Sequence, residues 1–252
     1  MTGLWAHSAS MTDITTTRTA DPTASEEPGA PLLPGDPRLL FARAVATGAA
    51  VIAAVPIDAM GDPTPCDSFD VRGVLGHLVG VLHRVARLGE GQDHFVVGDA
   101  EAADGEWLQA WREAAHGVQR AWTDDEVLAR PMSLPWQQGT GADILCGYLS
   151  ELTVHTWDVA VATGQEPAWD EEVLEAVLSL PAVLPAHGRR ALFERISAEM
   201  GFEEVAMPFA DAVPVADDAP AIERVVAWNG RPPAWRRPAP ASTPSESGGS
   251  GR

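Results

Sequence analysis

Apolar residues recur at the spacing of one helix face through most of this chain, and nowhere do strand-like and helix-like stretches alternate. Between Asp70 and Leu88, the residues Val71, Val74, Leu75, Leu78, Val81, Leu82 and Val85 follow the i, i+3, i+4, i+7 pattern of an amphipathic helix, closed by Gly89 and Gly91. The same reasoning predicts a helix from Asp36 or Pro37 to a stop at Pro56, and another from about Glu106 to Trp122 that places Trp107, Leu108, Trp111, Ala115 and Val118 on one side. Further helices are predicted from Gly141 to Ala162, ending at Gly164, from Asp170 to about Leu184 with Pro181 as a break or kink, and from about Gly188 to Met200. Pro131 to Gly141 is expected to be irregular with at most a short extended piece, and Val205 to Ala219 to be an extended return segment. The fold class is therefore all-α: a bundle of helices with short extra helices and irregular or short extended connections.

Both ends differ from this body. Residues 1–35 are rich in Thr, Ser, Pro, Ala and Gly, and residues 231–252 in Pro, Ser and Gly; both are expected to be disordered tails, because neither holds enough apolar surface to offset the entropy of ordering. The body, residues 36–230, carries the whole net charge of −19, since the tails carry small and opposite charges. A surface this acidic argues against nucleic acid and anionic lipid as partners. The longest uncharged run, Ala44 to Ile57, is too short to cross a bilayer, and a cytoplasmic protein is expected. Every basic residue is Arg, so Schiff-base catalysis and the phosphate-loop lysine of P-loop proteins are excluded. The two cysteines, Cys66 and Cys146, form no C-x-x-C pair.

The Gly141 to Ala162 segment contains an anomaly. One stripe reads Ile144, Tyr148, Glu151, His155, Asp158, Ala162, beside an apolar stripe of Leu145, Leu149, Leu152 and Val159. Ionisable groups beside a buried seam cost several kcal/mol unless paired or bound to a metal. Glu151 and His155 are one helical turn apart and can serve one cation. His77, at the edge of the apolar face of the 70–88 helix, is the candidate third ligand from a facing helix. Two nitrogens and a carboxylate leave coordination positions open, as in catalytic zinc sites, and the same set suits non-haem iron. Asp158 is the candidate to orient His155 from behind, or else a surface acid near the helix end. Taken singly, a Glu-x-x-x-His pair is most often a surface ion pair and a lone His a satisfied core residue. Residues His83, His94, His116 and His187 default to surface or structural roles, and Cys66 to a buried structural thiol rather than a nucleophile. No catalytic residue is assigned beyond the metal set. The residues alone also admit a non-catalytic metal-binding bundle.

Three separated runs resemble one family. Thr64-Pro65-Cys66, followed by Phe69, Asp70-Val71-Arg72, Leu75 and His77, is similar to the opening of the mycothiol-dependent maleylpyruvate isomerase-like proteins of the DinB superfamily, with Phe69 where the family usually has Trp. Ser150 to Ala160, with Glu151, His155 and Asp158, followed by Thr163-Gly164-Gln165, resembles that family's second metal motif. Val213 to Arg231, with Pro214, Pro220, Arg224, Gly230 and Arg231, resembles the closing segment of its single-domain subgroup. The resemblance implies a DinB-like four-helix bundle holding a divalent metal, usually zinc, on His77, Glu151 and His155, with mycothiol as cosubstrate. It further implies a thiol transferase or isomerase acting on a small electrophile, as a monomer or homodimer. The lysine-free, Ala/Arg/Gly/Pro-heavy composition suits a high-GC actinobacterial source.

Overall fold

A computed structural model of the chain describes residues 32–180, 184–200 and 209–238. Its long helices are α1 (Pro37–Ala53), α2 (Val71–Gly89), α3 (Trp107–Ala121) and α5 (Gly141–Ala162); the shorter ones are α4 (Asp125–Ala129), α6 (Glu171–Ser179), α7 (Arg189–Met200) and α8 (Ala221–Trp228). A two-stranded antiparallel hairpin, β1 (Pro131–Leu134) and β2 (Gln137–Thr140), pairs Pro131 with Thr140 just before α5. The long helices close a ring in which α1 and α2 each pack against both α3 and α5. This is the all-α bundle predicted from the spacing, with the four long helices that the resemblance implies. No described helix is long and apolar enough to cross a membrane.

The helix boundaries follow from local chemistry. The Asp36 side chain caps α1 by accepting from the Arg38 amide at 2.9 Å, and Pro37 occupies the first position, where its missing N–H is harmless. Asp70 caps α2 through the Gly73 amide at 2.8 Å. Thr140 and Asp143 form a capping box at the start of α5, and Gly164 follows its end at φ 70°, a left-handed position that glycine adopts without strain.

The bundle interior is an apolar layer of Val71, Val74, Leu75, Leu78, Val81, Leu82 and Val85 from α2 against Ile144, Leu145, Leu149, Leu152 and Val159 from α5. Two indoles tie the remaining helices in. Trp111 Nε1 donates to the Val45 carbonyl at 3.1 Å and Trp122 Nε1 to the Val85 carbonyl at 2.8 Å, so each buries its large ring without stranding its N–H.

Several expectations need adjustment. Helix α6 stops at Ser179 rather than near 184, because the residue before Pro181 is driven out of the α region: Leu180 sits at φ −66°, ψ 144°. The 131–141 stretch forms a regular hairpin. Residues 209–219 are irregular and contain no strand, the 201–208 part of that expected return segment lying outside the described residues. Helix α8, with Val225 and Val226 buried, was not foreseen; at eight residues between Pro220 and Gly230 it is too short to establish a period. The first 31 residues and residues 239–252 of the expected tails also lie outside the described residues. At the inner edges of those tails, Leu33 is buried in the core and Arg231 is buried at 3% exposure, so the packed body reaches beyond 36–230 at both ends.

One packing detail positions the site. The segment at residues 98–100 lies across α2 at two glycines, with the Ala100 amide donating to the Gly76 carbonyl at 2.9 Å. A Cβ at Gly76 would stand 2.6 Å from the Ala100 oxygen, and one at Gly80 would stand 2.8 Å from the Gly98 oxygen. These glycines admit the segment and thereby bring Asp99 beside His77. Gly76→Ala is expected to lower stability by about 1–3 kcal/mol through overpacking against this backbone; an unchanged denaturant midpoint would contradict the assignment.

Candidate metal centre

Helix α2 supplies His77 and α5 supplies Glu151 and, one turn later, His155. Glu151 Oε1 lies 2.8 Å from His77 Nε2 and 3.6 Å from His155 Nε2, and the two imidazole centroids are 4.7 Å apart. One potential ligand atom from each of the three residues falls within 4.8 Å of the other two. The structure therefore brings together all three residues singled out from the sequence.

Each imidazole has a carboxylate behind it. His155 Nδ1 lies 3.0 Å from Asp158 Oδ2, and His77 Nδ1 lies 3.1 Å from Asp99 Oδ1. With Nδ1–H donating to aspartate, each Nε2 faces Glu151; the His77 Nε2 donates to that carboxylate at 2.8 Å when the ring is protonated, and a cation taking the place of this proton would find the lone pair a metal ligand needs. Asp158 is thus behind His155 and fully buried, not a surface acid. Its charge is compensated by Arg231, whose Nη2 donates to Oδ2 at 2.9 Å and Nε to Oδ1 at 3.2 Å, while Nη1 donates to the Asn229 carbonyl. Phe69 stacks on His77 at 5.6 Å between centroids, and Phe209 on His155 at 5.5 Å. Both rings are confined on their faces as well as at Nδ1.

The electrostatics are those of a cation site. Burial alone would push His77 down, but the hydrogen bonds to Asp99 and Glu151 outweigh it and raise it to about 9. Burial would raise Glu151, yet the hydrogen bond to His77 and the charges of the two imidazoles hold it down to about 2. His155 is lowered, burial outweighing its aspartate. Its Nε2 is buried and has no hydrogen-bond partner among the described residues. A stranded acceptor facing a carboxylate and a second imidazole is accounted for by a divalent ion, which the donor set of two nitrogens and one carboxylate fits.

Cys66 sits next to this centre: its thiol, His155 and Asp158 also offer ligand atoms within 4.8 Å of one another. Burial pushes the Cys66 thiol up to about 11, and likewise that of Cys146. Both are therefore protonated at neutral pH, in keeping with a structural rather than a nucleophilic thiol. Neither is expected to react with a disulfide reagent at pH 8 over minutes in the native protein, and both should react on unfolding; rapid native labelling would contradict their burial.

The sequence did not single out Asp99 or Phe209, and gave Arg231 no role. Asp99 stands on a connection with no periodic signal, and its one trace was the Gly76 and Gly80 pair flanking His77. Of the other histidines, His83, His116 and His187 are exposed and His94 is buried. His77 and Glu151 border a cleft of about 1210 Å³, with walls from α2, α5, the hairpin, α7, α8 and residues 212–217.

Fold and site together define a helical bundle with a candidate metal centre between two of its long helices. Residues 41–160 match the family described as mycothiol maleylpyruvate isomerase N-terminal domain, which belongs to the DinB-like superfamily. The matched stretch contains His77, Asp99, Glu151, His155 and Asp158. Two proteins of Mycobacterium tuberculosis, uncharacterized proteins MT0763 (strain CDC 1551 / Oshkosh) and Rv0738 (strain ATCC 25618 / H37Rv), are each 28% identical over 202 residues, covering 78% of this chain and 98% of the relative. No solved structure matches the chain.

Proposed function

We propose that this protein is a zinc-dependent thiol transferase or isomerase that holds the ion on His77, Glu151 and His155 and activates mycothiol for attack on a small electrophile. The observation that carries the metal assignment is the buried Nε2 of His155, which has no hydrogen-bond partner among the described residues and lies with His77 and Glu151 around one point beside an open cleft. Mycothiol enters from the family that residues 41–160 match.

Bound at this point, a divalent cation supplies Lewis acidity that brings a thiol's pKa into the neutral range. The chain's own groups do the rest. Asp99 and Asp158 keep the Nδ1 protons in place, so both Nε2 lone pairs stay directed at the site. Glu151 contributes the negative charge that limits the net charge there. Phe69 and Phe209 hold the ring planes and keep water from the faces of both imidazoles. The chain has no lysine, and Cys66 is buried and does not line the cleft, so the proposed nucleophile is an external thiol. The cleft exceeds the roughly 300–1000 Å³ of a site built for one drug-sized molecule, leaving room for a thiol and an electrophile together.

The test is consumption of mycothiol, for transfer, and mycothiol-dependent isomerisation of the carbonyl compound with the thiol regenerated, measured with conjugated carbonyl electrophiles for zinc-loaded full-length protein and for His77→Ala. Turnover by the former, with at least a hundredfold loss in the variant, is expected. Equal rates in both would overturn the proposal.

A further inference from the structure

The cleft continues beyond the metal centre, and its far portion has a character of its own. His77, Val81 and Arg84 lie on one face of α2, so the wall at Arg84 is about 10 Å along the helix from His77. Above Arg84 the 93–97 loop is pinned to α2: Arg84 Nη1 donates to the Val97 carbonyl at 3.1 Å and Arg87 Nε to the Asp93 carbonyl at 2.6 Å. Within the loop, the Phe95 amide donates to Asp93 Oδ1 at 3.0 Å. Opposite, the tip of the β1–β2 hairpin carries Trp136.

Three rings converge between these two loops. His94 and Phe95 are 3.9 Å apart between centroids, and Phe95 meets Trp136 at 6.3 Å with planes at 88°. Phe95 and Trp136 each remain 37% exposed and line the cleft. The edge-to-face contact between the two rings ties the loop to the hairpin tip, yet more than a third of each residue is left open to the cleft instead of being buried in the fold. His94 also lines the cleft, yet it is only 7% exposed, and its Nε2 is buried without a hydrogen-bond partner among the described residues. A polar atom stranded beside two open aromatic rings is the signature of a missing ligand group.

From this juxtaposition we infer that His94, Phe95 and Trp136 form a subsite for a planar aromatic ring bearing a hydroxyl or similar hydrogen-bonding group. The ring packs against Phe95 and Trp136, and the polar substituent pairs with His94 Nε2. Val81 and Val97 complete the apolar wall. A molecule seated here reaches His77 along α2, so the electrophile is an aryl compound whose reacting carbon lies at the opposite end from its ring. The word electrophile rests on the proposed function; the ring-binding subsite does not.

The experiment is titration calorimetry on zinc-loaded full-length protein with three unreactive probes: p-cresol, toluene and 4-methylcyclohexanol. Wild type should bind p-cresol more tightly than either analogue. Trp136→Ala should weaken p-cresol about tenfold while changing 4-methylcyclohexanol less than about twofold. His94→Ala should abolish the preference for p-cresol over toluene. Both variants should keep wild-type zinc content and circular dichroism, because Trp136 is exposed and neither residue is near the ion. Failure of p-cresol to bind, or binding indifferent to both substitutions, would overturn the subsite. Probe binding that follows these substitutions in a protein inactive towards aryl electrophiles would uphold the subsite and remove the transferase reading instead.

Discussion

Replacing His77 by alanine is expected to empty the metal centre while leaving the bundle folded. His77 is one of the three assigned ligands, and its loss removes a nitrogen donor together with the Asp99 contact that orients it. Cation affinity should fall by well over 100-fold, since even outer partners of metal-binding histidines contribute roughly 10- to 100-fold. Asp99→Asn is expected to fall in that smaller range. The fold should tolerate both changes, because His77 is 13% exposed at the cleft wall and no core layer depends on it. Competition with a chromophoric chelator measures the affinity, and far-ultraviolet circular dichroism the fold. Wild-type affinity in His77→Ala would remove the assigned ligand set.

Arg231→Ala is expected to be the most destabilising single change at this site. Asp158 is wholly buried, and the guanidinium makes two of its hydrogen bonds. Burial would raise the Asp158 carboxyl, but the His155 hydrogen bond and the Arg231 charge hold it below the usual carboxylate range. Deleting Arg231 strands that charge, at a cost of about 3–5 kcal/mol, equivalent to a fall in Tm of about 6–20 °C for a body of this size. The effect is predicted to exceed that of His77→Ala on Tm, reversing their order on metal binding. Thermal unfolding of the two variants side by side checks this, and an Arg231→Ala protein with wild-type Tm would show that Asp158 finds its compensation elsewhere.

The contrast between these two residues also marks what could be read from the sequence. His77, Glu151 and His155 were legible because each sits on a strongly periodic helix, where an ionisable group on a buried stripe is out of place. The four long helices were legible for the same reason, with starts at Asp36 and Asp70 and a closing Gly164. Arg231 and Asp99 lie on connections, where no periodicity says which way a side chain faces. Arg231 in addition follows the unforeseen α8 and adjoins a Pro-rich stretch with the composition of a tail. Burial of a connection is decided by what docks on it, here a glycine pair on α2 and a carboxylate on α5. The aromatic portion of the cleft was hidden likewise, because His94, Phe95 and Trp136 come from two connections whose meeting is a property of the fold.

The most direct test of the central claim is the metal content of the full-length protein by plasma mass spectrometry, as purified and after reconstitution with zinc and removal of excess. About one zinc per chain in the wild type, lost in His77→Ala, is the predicted result. Iron in place of zinc would contradict the zinc assignment while retaining the site, and a wild-type protein that takes up no metal under either condition would contradict the metal centre itself.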